Sequence, residues 1–369
     1  MSKKIRTLAI NPGSTSTKIA LFDDYDEIWS ESIHHTPEDL KIFDHIQDQF
    51  KYRAGTVLKA MTEKDSALED VDVFAGRGGG IVPVTGGVYK VSDLMVDHAS
   101  KAMNGEPHPA QLAPQIAKQL ADMYGKIALV VNPPDVDEFC EVARVSGIKG
   151  IYRESHIHAL NQKEVAHRFC LSRGVKYDEV NIIICHMGGG VSITAHEKGR
   201  MIDSNDIIKG SGPMAATRAG EMAYMKIVDM AYSGEYTKKE LTDKLNKNGG
   251  LTDYFATSDI RNVLKMIENG DKFAETIVNG MIYQNAKYAG NMAVALKGKV
   301  DAIILTGGIS NNKYFTDRMT KYIDWIAEVV VMAGEFELEA LAAGSVRAMR
   351  GEVEIKEYTG IPVWNGFKV

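Results

Sequence analysis

Three short stretches could do chemistry in this chain: "NPGSTST" (Asn11–Thr17), "HMGGG" (His186–Gly190) and "TGGISNN" (Thr306–Asn312). Each directly follows an apolar run and consists largely of small or hydroxylated residues. Small residues let backbone N–H groups come close to an anionic ligand, and hydroxyls add donors. Lys18 puts a positive charge beside the first stretch. One such turn reads equally as a tight connection whose Ser and Thr satisfy the backbone. Three of them, each directly after a strand, point to phosphate binding. No GxxxxGK[ST] stretch occurs, and the glycines sit in strand–turn–strand context. A P-loop and a Rossmann turn are therefore both excluded.

Two arginines stand among residues too small to shield them, Arg77 in "AGRGGG" and Arg218 in "ATRAG". A planar guanidinium fork suits bidentate grip on a carboxylate or phosphate, although most arginines serve as surface or salt-bridged residues. His158 precedes "ALNQ" at a helix start, and His186 ends a buried strand before "MGGG". By itself either histidine reads equally as structural. Asp259 or Ser258 in "TSDIRN" suits an N-cap. Glu337 suits the first turn of a helix, where the macrodipole favours an acid.

The elements that must position these groups follow from periodicity. Strands are expected at Ile5–Ile10, Lys18–Asp23 and about Glu27–Ile33. "TPEDL" offers Thr36 as N-cap and Pro37 as first helical residue, and Leu40, Phe43, Ile46 and Phe50 carry that helix onward. "VDVFAG" reads as a buried strand with "GGVYKVS" as its hairpin-like sequel. Helices over Asp93–Met103 and Gln111–Tyr124 and a strand in "KIALVVN" complete the first half. The second half repeats the plan: "VNIIICHMGGGVSITAHEKGRMIDSN" is strand, glycine turn, strand, turn, strand, and Ile10–Phe22 can be laid over Cys185–His196. Helices are expected at Met222–Tyr232, Lys238–Asn246, Asp259–Asn269 and Phe273–Leu296. The strand of "VDAIILTGG", a helix from about Lys313, a strand at Val329–Met332 and a helix over Glu337–Arg350 follow. Two β-β-β-α-β-α copies predict an α/β fold of two similar lobes around a cleft. One lobe would hold residues 1–133 and 338–369, the other 134–337.

The chain has 369 residues, 44% of them hydrophobic, and a net charge of −6, with a pI near 6.0. That charge, with dispersed Lys and Arg, argues against a nucleic-acid partner. Cys140, Cys170 and Cys185 show no finger or paired spacing and read as reduced thiols. Apolar runs such as "IALVV" are too short to span a membrane, and no signal segment precedes the first strand. A cytoplasmic protein is expected.

In order, "INPGSTSTKIALFDD", "GRGGG", "SHIHALNQKEVAHR", "CHMGGGVSITAHEKGR", "GP…TRAG", "TSDIRNV", "DAIILTGGISNN" and "ELEALAAGSVRAMRGE" resemble the butyrate kinases. These belong to the acetate kinase branch of the ribonuclease H-like, actin-like ATPase fold, and the likeness runs from about Thr7 to Glu352. The resemblance implies reversible transfer of the γ-phosphoryl of ATP to a short-chain carboxylate, with Mg²⁺, by a homo-oligomer. It gives Arg77 and Arg218 substrate-carboxylate and transition-state contacts, with Pro213 and His108 on the substrate side. His158 becomes a donor to the transferring phosphoryl and His186 a phosphate contact. Asn11, Ser14, Ser16 and Lys18 line the phosphate side of one lobe, and Gly188, Gly189 and Gly190 that of the other. Asp259, Arg261, Gly307, Gly308, Ile309 and Asn312 fall to the adenosine end, and Glu337 to the metal. One carboxylate suffices there, because Mg²⁺ keeps waters and phosphate oxygens.

Four positions depart from the family pattern. Asn132 stands where an aspartate serves the metal or its water shell. It is expected to hold a water in the catalytic site with weaker Mg²⁺ binding or slower turnover. Thr217 replaces a glutamate before Arg218, and His108 is followed by "PAQ" rather than "ASN". Gly79 replaces a branched aliphatic residue, which would open room for extra methylenes, each worth ~0.8 kcal/mol when buried. A C3–C5 acid such as butyrate is then expected over acetate. An ionised carboxylate needs no general base. A sugar kinase would need one, so that activity is disfavoured. The alternatives are a kinase for another acid (acetate, propionate or a branched-chain acid) and a weakly active or non-catalytic nucleotide-binding paralogue on the same fold.

Overall fold

The computed structural model describes residues 3–209 and 211–367. The chain divides into two compact units, one of Met1–Asp137, Ala159–Glu164 and Phe336–Val369, the other of Glu138–His158 and Val165–Glu335.

The first unit opens with β1 (Arg6–Pro12), β2 (Ser16–Asp23) and β3 (Asp26–His34), an antiparallel meander. β1 and β2 run further than expected, so the first turn shrinks to Gly13–Thr15. Thr36 caps α1 (Pro37–Leu40) through a capping box with Asp39. The expected long helix is broken there, a correction with a local cause. The carboxylate of Asp48 accepts the backbone N–H of His45 at 2.9 Å, and His45 is extended with φ −128°. A second helix start thus follows the first, and α2 runs over Phe50–Glu63.

Next come β4 (Val73–Gly76), β5 (Val88–Lys90), α3 (Asp93–Ser100), α4 (Leu112–Tyr124) and β6 (Ile127–Val131). β5 is not the hairpin partner of β4, which corrects the sequence reading. Both edges of β4 are taken by parallel pairing to β1 and β6, so β5 pairs antiparallel with β6.

α5 (Ala159–Arg173) begins in the first unit and continues in the second. The second unit then builds β7 (Asn181–Met187), β8 (Val191–Glu197) and β9 (Arg200–Ser204). Helices α6 (Tyr224–Tyr232), α7 (Lys238–Asn246), α8 (Leu251–Phe255), α9 (Ile260–Glu268) and α10 (Lys272–Ala295) follow. β10 (Ala302–Thr306), α11 (Lys313–Ile323) and β11 (Glu328–Val331) close it. The chain returns to the first unit with α12 (Glu337–Met349) and β12 (Ile355–Lys356).

The sheets run β12-β5-β6-β4-β1-β2-β3 and β9-β8-β7-β10-β11. Within the first, β3-β2-β1-β4-β6 has the same order and strand directions as the whole of the second. Each meander also carries a register shift in its outer pair, at Leu21/Phe22 and at Ala195/His196. The internal repeat in the sequence is therefore a repeat of sheet topology. α10 and α11 cover the second sheet's apolar face with Val278, Met281, Ala289, Phe315 and Met319.

α12 covers one face of the first sheet with Leu341 and its small neighbours, and its approach is set by Gly344. A Cβ there would lie 2.4 Å from Val131 Cγ1 on β6. Gly344→Ala should lower stability by about 1–2 kcal/mol through overpacking, despite better helix propensity. Adding Val131→Ala should recover most of the loss, read as coupling in a urea-denaturation double-mutant cycle.

Candidate active site

In the first unit, Asn11 on β1 and Lys18 on β2 are directly opposed, so their side chains leave the same face of the hairpin. Ser14 is exposed at the turn, which Gly13 closes by donating its N–H to the Ser16 carbonyl at 2.7 Å. Arg77 follows β4 and donates its backbone N–H to the Ile10 carbonyl. Its Nη1 lies 2.9 Å from Glu337 Oε1, and Glu337 Oε2 accepts from Asn11 Nδ2 at 2.6 Å. Both members of the ion pair are largely buried, and the buried Arg77 Nε has no acceptor. Glu337 is held by the "ALNQKE" segment. Asn161 Oδ1 accepts the N–H of Phe336 at 2.8 Å, and Glu164 pairs with Arg347 at 2.9 Å.

His108 belongs to the same neighbourhood. Its Nδ1 accepts the N–H of Ala110 at 3.1 Å, which leaves the proton of the neutral ring on Nε2. The residue as a whole is exposed, yet the protein packed around the ring pushes its pKa down to about 4. The charges of Arg77 and Arg53 act in the same direction, and Glu337 opposes them. His108 is therefore neutral at physiological pH, a donor rather than a cation.

Gly78, Gly79 and Gly80 have φ of +80°, +134° and +73°. A Cβ on Gly78 would fall 2.6 Å from Val130 Cγ1, whereas one on Gly79 would meet Ala110 Cβ at an ordinary 3.4 Å. The backbone conformation alone excludes a branched residue at 79. Acyl space is thus not the sole reason for that glycine. Asn132 is also explained locally, being buried with φ +41°, a conformation asparagine tolerates. Its Oδ1 accepts the Gly87 N–H at 2.8 Å and its own N–H donates to Gly87 O at 2.9 Å. It pins the approach to β5.

In the second unit, His158 and His186 stack with ring centres 3.9 Å apart and planes 15° from parallel. Ser192 Oγ lies 2.8 Å from His158 Nδ1 and orients that ring. Gly188 closes a turn onto the Gly190 carbonyl at 2.9 Å. Arg218 lies against that turn: a Cβ on Gly190 would sit 1.6 Å from Arg218 Nη1. Arg218 Nε and Nη1 are buried without acceptors, and burial pulls this guanidinium below its ordinary pKa while Asp206 opposes. Thr217 ties the segment down by donating its hydroxyl to the Gly189 carbonyl at 2.9 Å. Beside Arg218 is a cavity of about 120 Å³ whose lining includes Pro213, Val191, Ile207 and Leu245.

The residues expected at the adenosine end have structural partners. Asp259 caps α9 and is gripped by the Arg261 fork at 2.7–3.1 Å. Asn312 caps α11, and Ile309 is in the core. Gly307, at φ +86°, packs on Met187, whereas Gly308 faces open space. The structure thus gathers Asn11, Arg77 and Glu337 in one unit, and His158, His186, Gly188–Gly190 and Arg218 in the other. Sequence reasoning missed Arg53, Ser192 and the role of Thr217. Periodicity puts Arg53 on the buried face of α2 but does not tell it from a side chain that snorkels to water.

No cluster of three or more His, Cys, Asp or Glu able to hold a metal occurs among the described residues. Both Glu337 oxygens face nitrogen donors. This donor set fits a Mg²⁺ that keeps its waters and phosphate oxygens, not one in a protein cage.

Over 355 residues the chain is 41% identical to Butyrate kinase 2 of Clostridium acetobutylicum, covering 96% of this chain and 99% of that one. It belongs to the acetokinase family. The Acetokinase family profile itself matches residues 148–326. A probable butyrate kinase of Clostridium botulinum is 40% identical over 358 residues, 97% of this chain and 100% of that one. Among solved structures, Porphyromonas gingivalis acetate kinase superposes with a TM-score of 0.76 at 17% identity, over 94% of this chain and 100% of that one. A Francisella tularensis propionate kinase gives 0.72 at 16%, over 92% and 98%. The acetokinase fold, two similar lobes of the actin-like ATPase class, is therefore the fold of this chain.

Two outcomes follow for this acetokinase. In Gly190→Ala the added methyl meets the flexible end of Arg218, so the fold should survive within about 1 kcal/mol. Displacing the guanidinium should cost on the order of 10²-fold in kcat. Melting curves beside steady-state rates separate the two effects. In ring-proton NMR, His108 should titrate near pH 4, and Arg77→Gln should move it upward. Because the folded value lies below the unfolded one of about 6.5, the unfolded state binds more protons between them, so stability falls as pH drops through that window.

Proposed function

We propose that this acetokinase transfers the γ-phosphoryl of ATP reversibly to butyrate or a similar C3–C5 carboxylate. A carboxylate oxygen attacks the γ-phosphorus, the bond to the β–γ bridging oxygen breaks, and ADP leaves. No proton moves, because the acceptor is ionised at neutral pH, so the protein needs donors and cations rather than a base. The observation that carries the reading is Arg218, a guanidinium with two buried nitrogens unclaimed beside a glycine turn. Such a group calls for an anion, and the 41% identity to Butyrate kinase 2 names the chemistry.

In this reading Arg218 and His158 stabilise the transferring phosphoryl, and His186 with Gly188–Gly190 holds phosphate oxygens. Arg77 grips the acid, with His108 as a neutral donor and Pro213 on the apolar side. Asn11, Ser14, Ser16 and Lys18 take phosphate oxygens. Gly307, Gly308, Ile309 and Asn312 with Asp259 and Arg261 take the adenosine end through backbone and surface groups. Mg²⁺ would arrive on the nucleotide and be held through water by Glu337; when bound it neutralises charge on the phosphate oxygens. Asn132 acts by fixing its loop. We place the enzyme in the cytoplasm as a homo-oligomer. No described helix is long and apolar enough to cross a membrane, and α6 exposes Tyr224, Met225 and Tyr232.

Hydroxylamine trapping of acyl phosphate across linear C2–C6 and branched acids tests the proposal. Butyrate and its C3–C5 neighbours should exceed acetate in kcat/KM by about tenfold, as two buried methylenes allow. Asn132→Asp, which keeps the Gly87 bond, should retain activity. The absence of hydroxamate from every acid would refute the assignment.

A further inference from the structure

Arg53 is fully buried on α2, directly behind the first glycine–serine turn. Its contacts are Gln49 Oε1 at 2.9 Å, Thr17 Oγ1 at 3.1 Å, and the carbonyls of Ser16 at 3.2 Å and Ser14 at 3.5 Å. Every one of these acceptors is neutral, and no carboxylate pairs with Arg53 among the described residues. The Thr17 hydroxyl continues to His35 Nε2 at 2.8 Å, and His35 Nδ1 to Tyr52 at 2.9 Å. Burial and Arg53 both hold His35 below its ordinary pKa against the pull of Asp39, so the ring is neutral, and no carboxylate is hydrogen-bonded into this relay.

A buried cation without a counter-ion is costly, and a fold that only needed to brace a turn could do so with neutral groups. Arg53 does more than brace. It grips the inner side of a turn whose outer side exposes Ser14 and Thr15, and its field reaches His108. We propose that Arg53 is the buried counter-charge of the nucleotide's phosphates. It is a positioning residue that binds them electrostatically through the turn without touching them. The ligand's identity rests on the kinase reading above; the uncompensated charge does not.

Gln49→Glu tests this most cleanly. It would place a carboxylate where Gln49 Oε1 now accepts from Arg53 Nε, cancelling the charge while keeping the bond. Calorimetry with Mg·ADP, and with uncharged adenosine as a competitor, should show ADP affinity falling about tenfold with adenosine unchanged. The melting temperature should be equal or higher. KM for ATP should rise with kcat nearly constant, the signature of lost uniform binding. Arg53→Lys keeps the charge and should stay within about threefold of wild type for ADP, even if it melts earlier. Arg53→Gln should lose about tenfold and show a shallower salt dependence. Wild-type ADP affinity in Gln49→Glu, or an equal loss for ADP and adenosine, would overturn the inference. Should no acid yield a hydroxamate while the Gln49→Glu effect on ADP persists, the kinase reading fails and this one stands.

Discussion

The packing of Arg218 in the second unit depends on one missing methyl group. Without a Cβ at Gly190, the Arg218 guanidinium brings its Nη1 end against the glycine turn and loses water from two nitrogens without gaining an acceptor. The surrounding features keep that contact in place. Thr217 fastens the approach to the Gly189 carbonyl, and Gly250 packs its Cα against the Ala215 and Arg218 carbonyls. In the same unit Ser192 orients the His158–His186 stack. A site made this way is preorganised by backbone packing rather than by ion pairs.

The first unit solves the matching problem differently. There a single carboxylate, Glu337, joins the first strand through Asn11 to the end of the fourth through Arg77. The helix that carries it is started by Asn161 and fixed by Gly344 against β6. Cationic density around the first turn therefore comes in two kinds. Arg77 is paired with the carboxylate of Glu337, whereas Arg53 has no carboxylate partner among the described residues.

Much of this was legible in the sequence because it is local. The hairpins were written in two apolar runs around a small-residue knot, and the helix start at Thr36 in its N-cap and the proline that follows it. The duplicated order of the two halves predicted the duplicated sheets. What could not be read was non-local or locally ambiguous. Helical spacing from Leu40 to Phe50 concealed the restart at His45, which rests on the His45 N–H donated to the Asp48 carboxylate. The partner of β5 depended on both edges of β4 being occupied. Arg53 looks like any long side chain that snorkels from an apolar stripe, and only its surroundings reveal that it does not. Asn132 was read as a chemical departure because a left-handed backbone leaves no mark in the composition.

The first unit is discontinuous: α12, which packs on β1, β4 and β6, comes from the far end of the chain, after the entire second unit. During synthesis, the early strands are thus exported long before their covering helix exists. One face of Ala9, Ala20, Phe22 and Leu129 stays unprotected until residues 337–349 clear the ribosome. The nested half can finish first, and the N-terminal half must wait in an adhesive, half-covered form. Translation speed and access to a holding chaperone therefore bear on yield more heavily here than in a protein of equal size built from consecutive domains.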